Sequence, residues 1–218
     1  MLKILVPKIV DAEARRQEVV HAVFRIIASD GLERASLREV ADEAGLAVGS
    51  VRHYFASSDE LLVFSFGVVV DRIVGRLESA MVAVEGERSG SPEQHAAILS
   101  LLGQLLPLDE ELAVDACVWM AFRNAARIKP VFAPEAERSH RAVAAVVGRL
   151  VMILNRESTD GQHADGHQAL VNEAERLLAT MDGLCMHALL HPEWMTARMC
   201  SDVLTAHLRS MESAAAPV

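Results

Sequence analysis

Residues 36–62 read SLREVADEAGLAVGSVRHYFASSDELL, and this stretch decides the fold. Ser36 followed by Glu39 is the signature of a capped helix start, because the two side chains can satisfy two orphan amide donors. Leu37, Val40, Ala41 and Ala44 recur at three- and four-residue spacing, so one face of this first helix, over 36–44, turns to a core. Arg38, Glu39, Asp42 and Glu43 take the other face. Gly45 supplies the positive φ that ends such a helix, and a second helix follows from Ala47 to Tyr54. Val51, Tyr54 and Phe55 form its apolar stripe, which leaves Val48, Gly49, Ser50, Arg52 and His53 outside. A small, polar outer face carrying one guanidinium suits entry into a major groove roughly 12 Å wide.

Read outward, the match to a known pattern is broader than this pair of helices. The block AxEAGLAVGSVRHYFASSDELL resembles the signature of TetR-family transcriptional regulators. In that signature a recognition helix ends in Tyr-Phe, here Tyr54-Phe55, and a loop leads to an acidic-Leu-Leu run, here Asp59 to Leu62. The similarity extends back to Arg15 through RRQEVVHAVFRIIASDGLERASL. Members usually carry a Lys in the loop before the acidic run; this chain has Ser57-Ser58. The resemblance implies a DNA-binding helix-turn-helix head. Arg52 is then the candidate for a bidentate pair with guanine, and Ser50 and His53 for a phosphate or a base edge. Val48 is the candidate for a thymine methyl, Gly49 for close approach, and Ser36, Arg38 and the Tyr54 hydroxyl for phosphates.

Length and composition agree with an all-α protein. The chain has 218 residues, 51% of them apolar, with only one Tyr and two Trp. Alanine, leucine and valine dominate, a balance that favours helix over sheet. No uncharged apolar run reaches the ~18 residues a membrane span needs. The N-terminal MLKILVPKIV is too short for a secretory signal, Pro7 interrupts it, and it reads as an arm before the first helix. Cys117, Cys185 and Cys200 are odd in number and lie in apolar surroundings, which predicts buried thiols in a cytoplasmic protein. The net charge is −9. Residues 1–60 hold eight Lys and Arg against ten Asp and Glu, and residues 61–218 hold thirteen against twenty. The excess acid therefore lies mainly outside the reading head, although the head itself is not basic.

Periodicity predicts a first helix over 11–29, ended by Asp30-Gly31, with Arg15 and Arg16 as phosphate candidates or a solvated face. Ser58 caps a long helix running to about Val84 that joins the head to a body. Domains over 1–57 and 58–218 follow. Residues 85–92 (EGERSGSP) and 157–166 (ESTDGQHADG) read as loops. Helices are expected over 93–106, 109–128, 135–156, 167–190 and 193–212, broken at Pro107, Pro130/Pro134, Gly161 and His191-Pro192. The last two carry wide apolar faces, including Leu177, Met181, Met199, Val203 and Leu208, which serve either the subunit's own core or a partner. The phrase MDGLCMHALLHPEW resembles the C-terminal region of BetI-like members, which implies a homodimer through these two helices.

A ligand cavity in the body is also implied by the resemblance. Its candidate linings are Trp119, Met120, Phe122 and Arg123 on one helix, with Met152, Met181, Cys185 and Met186 from later ones. Arg123 and Asp182 are candidate polar anchors, or an ordinary ion pair. The same Met and aromatic spacing equally describes a core. His163/His167 and His187/His191 stand four apart, yet neither pair has further ligands at metal-site spacing, so no metal is expected. No phosphate-binding glycine loop or nucleophile elbow is present, and neither cofactor nor catalysis is expected. The sequence therefore leads to a ligand-responsive repressor that binds a palindromic duplex operator as a homodimer and is released by a small-molecule effector. A helical ligand-binding or interaction protein without DNA binding is the alternative.

Overall fold

A computed structural model describes residues 12–155 and 164–215. Among these the structure is all-α, with α1 (Ala12–Asp30), α2 (Leu37–Glu43), α3 (Val48–Tyr54), α4 (Ser58–Gly86), α5 (Pro92–Gly103), α6 (Glu110–Ala126), α7 (Ala133–Leu154), α8 (Ala164–Leu190) and α9 (Ala197–Ala215). Single 3-10 turns at Leu32–Arg34 and Pro130–Phe132 were not legible in the periodicity. None of the described helices is long and apolar enough to cross a membrane. The N-terminal arm, His163 and most of the expected 157–166 loop lie outside the described residues.

The frame is α4, whose 29 residues span about 43 Å at 1.5 Å each. Its buried positions, from Leu61 and Leu62 through Phe66, Val70, Ile73 and Leu77 to Val84, keep the helical period along the whole length. Helices α5, α6 and α7 pack on it, α8 lies on α7, and α9 reaches α5. Phe66 stacks on Phe122 of α6, with ring centroids 4.8 Å apart, and Phe132 meets both rings edge-on. Helix α1 touches α4 and lies along α6, so the head is packed against the body.

Several helix ends differ from expectation for local reasons. Ser57, not Ser58, caps α4 by accepting from the Glu60 amide at 3.1 Å, while Glu60 reaches back to the Ala56 amide at 2.8 Å. Pro134 does not break α7 but sits in its first turn, where a missing N–H leaves nothing unsatisfied. Helix α5 stops at Gly103, short of the expected 106, and Leu105 and Leu106 are buried in the turn that follows. The tight His-Pro turn is longer than expected. His191 O accepts from Trp194 and Met195, and the Thr196 hydroxyl caps α9 by accepting from the Met199 amide.

Candidate DNA-reading head and effector groove

The head is held by one small core. Val19, Val20, Val23 and Phe24 of α1, Leu37 and Val40 of α2, and Val51 and Phe55 around α3 are all buried. The Ser36 hydroxyl accepts from the Glu39 amide at 3.2 Å, as its spacing predicts. Gly45 has φ 66° and hands the chain to Leu46, whose amide donates to Ala41 O at 2.8 Å. With Val51 buried and Phe55 anchoring its end, α3 turns Gly49, Ser50, Arg52 and His53 outward, all exposed. A methyl added at Gly49 meets nothing within 4 Å. Tyr54 is half-buried against the core, with the His53 ring edge-on to it at 5.3 Å. Val48 is a correction: it is half-buried and packs partly against the core instead of standing free. Ser36 and Arg38 are exposed at the start of α2.

In the body a groove of about 1190 Å³ lies between α6 and α8. Val114, Cys117, Met120 and Ala121 of α6 face Met186, Leu189 and Leu190 of α8, and Ala28 of α1 also lines it. Arg123 forks onto Asp182 across the groove at 2.8 and 2.9 Å, with its guanidinium 4.5 Å from the centre of the Trp119 ring. The same pair lines a second recess of about 140 Å³ beside Trp119, His140 and Glu175. Arg123 and Asp182 are thus the wall between the two. Burial, helped by the Asp182 charge, pushes the Cys185 thiol up to about 12, and its Sγ lies 3.7 Å from Met120 Sδ.

A junction joins the two regions. Arg72 of α4 reaches Glu111 at 2.7 Å and Asp115 at 3.3 Å on α6, and its guanidinium lies 5.6 Å from the Phe24 ring of α1. Arg76 holds the other oxygen of Asp115, a residue only 1% exposed, at 2.7 Å.

Comparison with known proteins adds family to geometry. The model for bacterial regulatory proteins of the tetR family matches residues 19–63, and the model for the C-terminal part of BetI-type transcriptional repressors matches 94–212, more than half the chain. The chain belongs to the TetR family of transcriptional regulators. The HTH-type transcriptional regulator PksA of Bacillus subtilis is 34% identical over 94% of this chain and 93% of its own length. The regulator BetI of Rhizobium meliloti is 25% identical over 94% of each. A solved transcriptional regulator from Rhodococcus sp. Rha1 superimposes with a TM-score of 0.76 at 28% identity, covering 93% of this chain and 98% of the other.

In this TetR-family regulator the sequence candidates separate into two groups. Met120, Arg123, Asp182 and Met186 come together at the groove, and Trp119 lines the smaller recess while its indole donates to Ser139 at 2.8 Å. Phe122 and Met181 belong to the core, and Cys185 is buried behind Met120. Met152 is a correction. It is 51% exposed, because the buried stripe of α7 runs through Val143, Val147, Leu150 and Val151 and leaves Met152 on the opposite side. Arg16 is likewise no plain solvated residue, since its guanidinium lies over Phe64 and Phe55. Arg15 pairs with Glu18. Cys117 is only half-buried and lines the groove, whereas Cys200 is buried as expected. His187 and His191 are exposed, with rings 6.4 Å apart, and no group of three ligating side chains gathers among the described residues. Arg127 and Asn124 of the groove were missed. Their signal, a polar pair one turn beyond Met120 and Arg123, was present in the sequence.

Proposed function

We propose that this regulator is a ligand-responsive repressor that binds a palindromic duplex as a homodimer, with residues 1–57 as its reading head and 58–218 as its sensing and pairing body. The observation that carries the reading is α3. Its inner residues are locked in the head core while Gly49, Ser50, Arg52 and His53 face outward together. Two such helices about 34 Å apart would meet successive major-groove faces. Arg52, with Ser50 and His53, reads base edges; Ser36, Arg38 and Tyr54 hold phosphates, and Gly49 lets the backbone come close.

Homodimerisation is supported by the exposed apolar side chains at the C-terminal end of the fold. Trp194 in the turn, and Met199 and Val203 on α9, are all exposed and lie outside the groove. Wide apolar surfaces on long helices favour association. The effector seat is the α6–α8 groove, whose apolar floor and Arg123–Asp182 wall suit a small amphipathic molecule. Because Ala28 also lines that groove, an occupant bears on α1 directly and shifts the balance between head positions.

Selection of bound duplexes from a random DNA pool at two salt concentrations tests the reading. An enriched palindrome with salt-weakened affinity supports it. The second reading, a ligand-binding protein without DNA binding, is favoured by the head's excess of acid over base; no enrichment at low salt from a folded dimer would select it.

A further inference from the structure

The head residues 12–63 contain six arginines and no lysine, set among nine carboxylates. Three of these arginines are already neutralised: Arg15 by Glu18, Arg25 by Glu43 and Arg34 by Glu39. Arg16, Arg38 and Arg52 hold no carboxylate among the described residues. Arg38 and Arg52 already have places in the proposed DNA contact. Arg16, which the sequence left between a phosphate contact and a solvated face, does not, and its setting is the most constrained of the three.

Its guanidinium carbon lies 4.5 Å from the centre of the Phe64 ring and 5.3 Å from that of Phe55. Phe55 ends α3 and Phe64 stands in the second turn of α4, so the cation is fixed over the seam between these helices. Its Nε is buried and has no hydrogen-bond acceptor. Stacking uses the flat faces of a guanidinium and leaves its terminal nitrogens free to donate two parallel bonds to an oxygen anion. When α3 lies in a major groove, the two ends of that helix face the sugar-phosphate strands bordering the groove. A rigidly held, uncompensated guanidinium at the C-terminal end of α3 is therefore placed for a backbone phosphate. The loop beside it, Ala56 to Ser58, offers no cation of its own.

We propose that Arg16 is a phosphate anchor of the DNA-reading head, pre-positioned by Phe55 and Phe64. This rests on the DNA-binding reading above. The ordering of the side chain is met in the free protein by the two rings, so less freedom is lost when DNA binds.

The test compares wild type, Arg16→Gln and Arg16→Lys on the duplex selected by the wild-type protein, with affinity measured over a salt series and thermal melting recorded beside it. Each phosphate contact contributes about 0.9 to the slope of log affinity against log salt, so Arg16→Gln should flatten the slope of a dimer by about 1.8. Arg16→Lys, which keeps the charge, should retain most of it. A slope unchanged in Arg16→Gln overturns the proposal, whether or not affinity and melting temperature fall, since a merely structural role moves those and not the slope. A second readout needs no variant: operator should slow modification of Arg16 by phenylglyoxal in the wild-type protein, and an unprotected Arg16 in the bound complex overturns the proposal equally. If the wild type shows no salt-dependent binding to any duplex, the DNA-binding reading itself falls, and this inference with it.

Discussion

At the scale of single residues, two glycines of the reading head have opposite requirements. Gly45 holds φ 66°, where a side chain is strained even though nothing crowds its Cβ position. Gly45→Ala should cost about 1–2 kcal/mol and lower the melting temperature. Gly49 is helical and a methyl there meets open space, so Gly49→Ala should melt no earlier than wild type. It should nevertheless weaken operator binding, because the methyl intrudes where α3 approaches the bases. Arg52 is exposed and holds no ion pair among the described residues, so Arg52→Ala should leave melting unchanged. A lost bidentate base contact of about 1–3 kcal/mol would lower operator affinity by roughly fivefold to a hundredfold per half-site in an anisotropy titration. Ser36, Gly45 and Val51 could be read from spacing alone because capping, turn and burial are local rules. For Arg16 the sequence left a phosphate contact or a solvated face open, and its seat could not be read, since its partners are rings on two later elements brought to it only by tertiary packing.

At the scale of elements, two ionisable groups stand near neighbouring helices, Asp115 buried and His207 half-buried. Asp115 ties α6 to α4 through Arg72 and Arg76 while almost fully buried. Removing one partner from such a cluster strands the others, and Asp115→Ala should lose about 3 kcal/mol in denaturant titration, with Asp115→Asn losing less. Between α9 and α8, burial, followed by the Arg176 charge, lowers the pKa of His207 below its ordinary value against a weaker opposing pull from Glu173. The unfolded chain therefore takes up this proton before the folded one does. Stability from His207 is complete above about pH 6.5 and is lost as the pH falls below it. Melting temperature followed from about pH 7.5 to 5.5 should drop less steeply in His207→Gln than in wild type. The helices themselves and their proline and glycine breaks were legible from period and composition. Which face met which neighbour was not: Phe122 and Met120 stand two residues apart on α6, yet one fills the core and the other lines the groove. Nor was the burial of Asp115 legible, which depends on Arg72 and Arg76 reaching it from α4.

For the whole molecule, the prediction concerns assembly. Met199 and Val203 lie one turn apart on α9 and are both exposed. Replacing both by Glu should yield a monomer by light scattering while leaving helical content intact. Operator affinity should then fall steeply, because two linked half-site contacts become independent ones. The all-α class and the TetR resemblance were carried by contiguous segments, so both were visible in the sequence. The groove was not, because it arises where α1, α6 and α8 converge and no single segment encodes it.

The contact of Arg72 with Phe24 bears on how such regulators exchange parts. A cut between Ser57 and Ser58 looks like a clean boundary at which one reading head could be traded for another, by recombination or by design. Yet α1 brings Phe24 to the Arg72 guanidinium and Ala28 to the lining of the groove. On the proposed reading, a transplanted head that lacks an aromatic ring at the first position, or a small residue at the second, would inherit its operator but not its response. Sensing would then be written partly into the head, and a working hybrid would have to carry both residues across the seam.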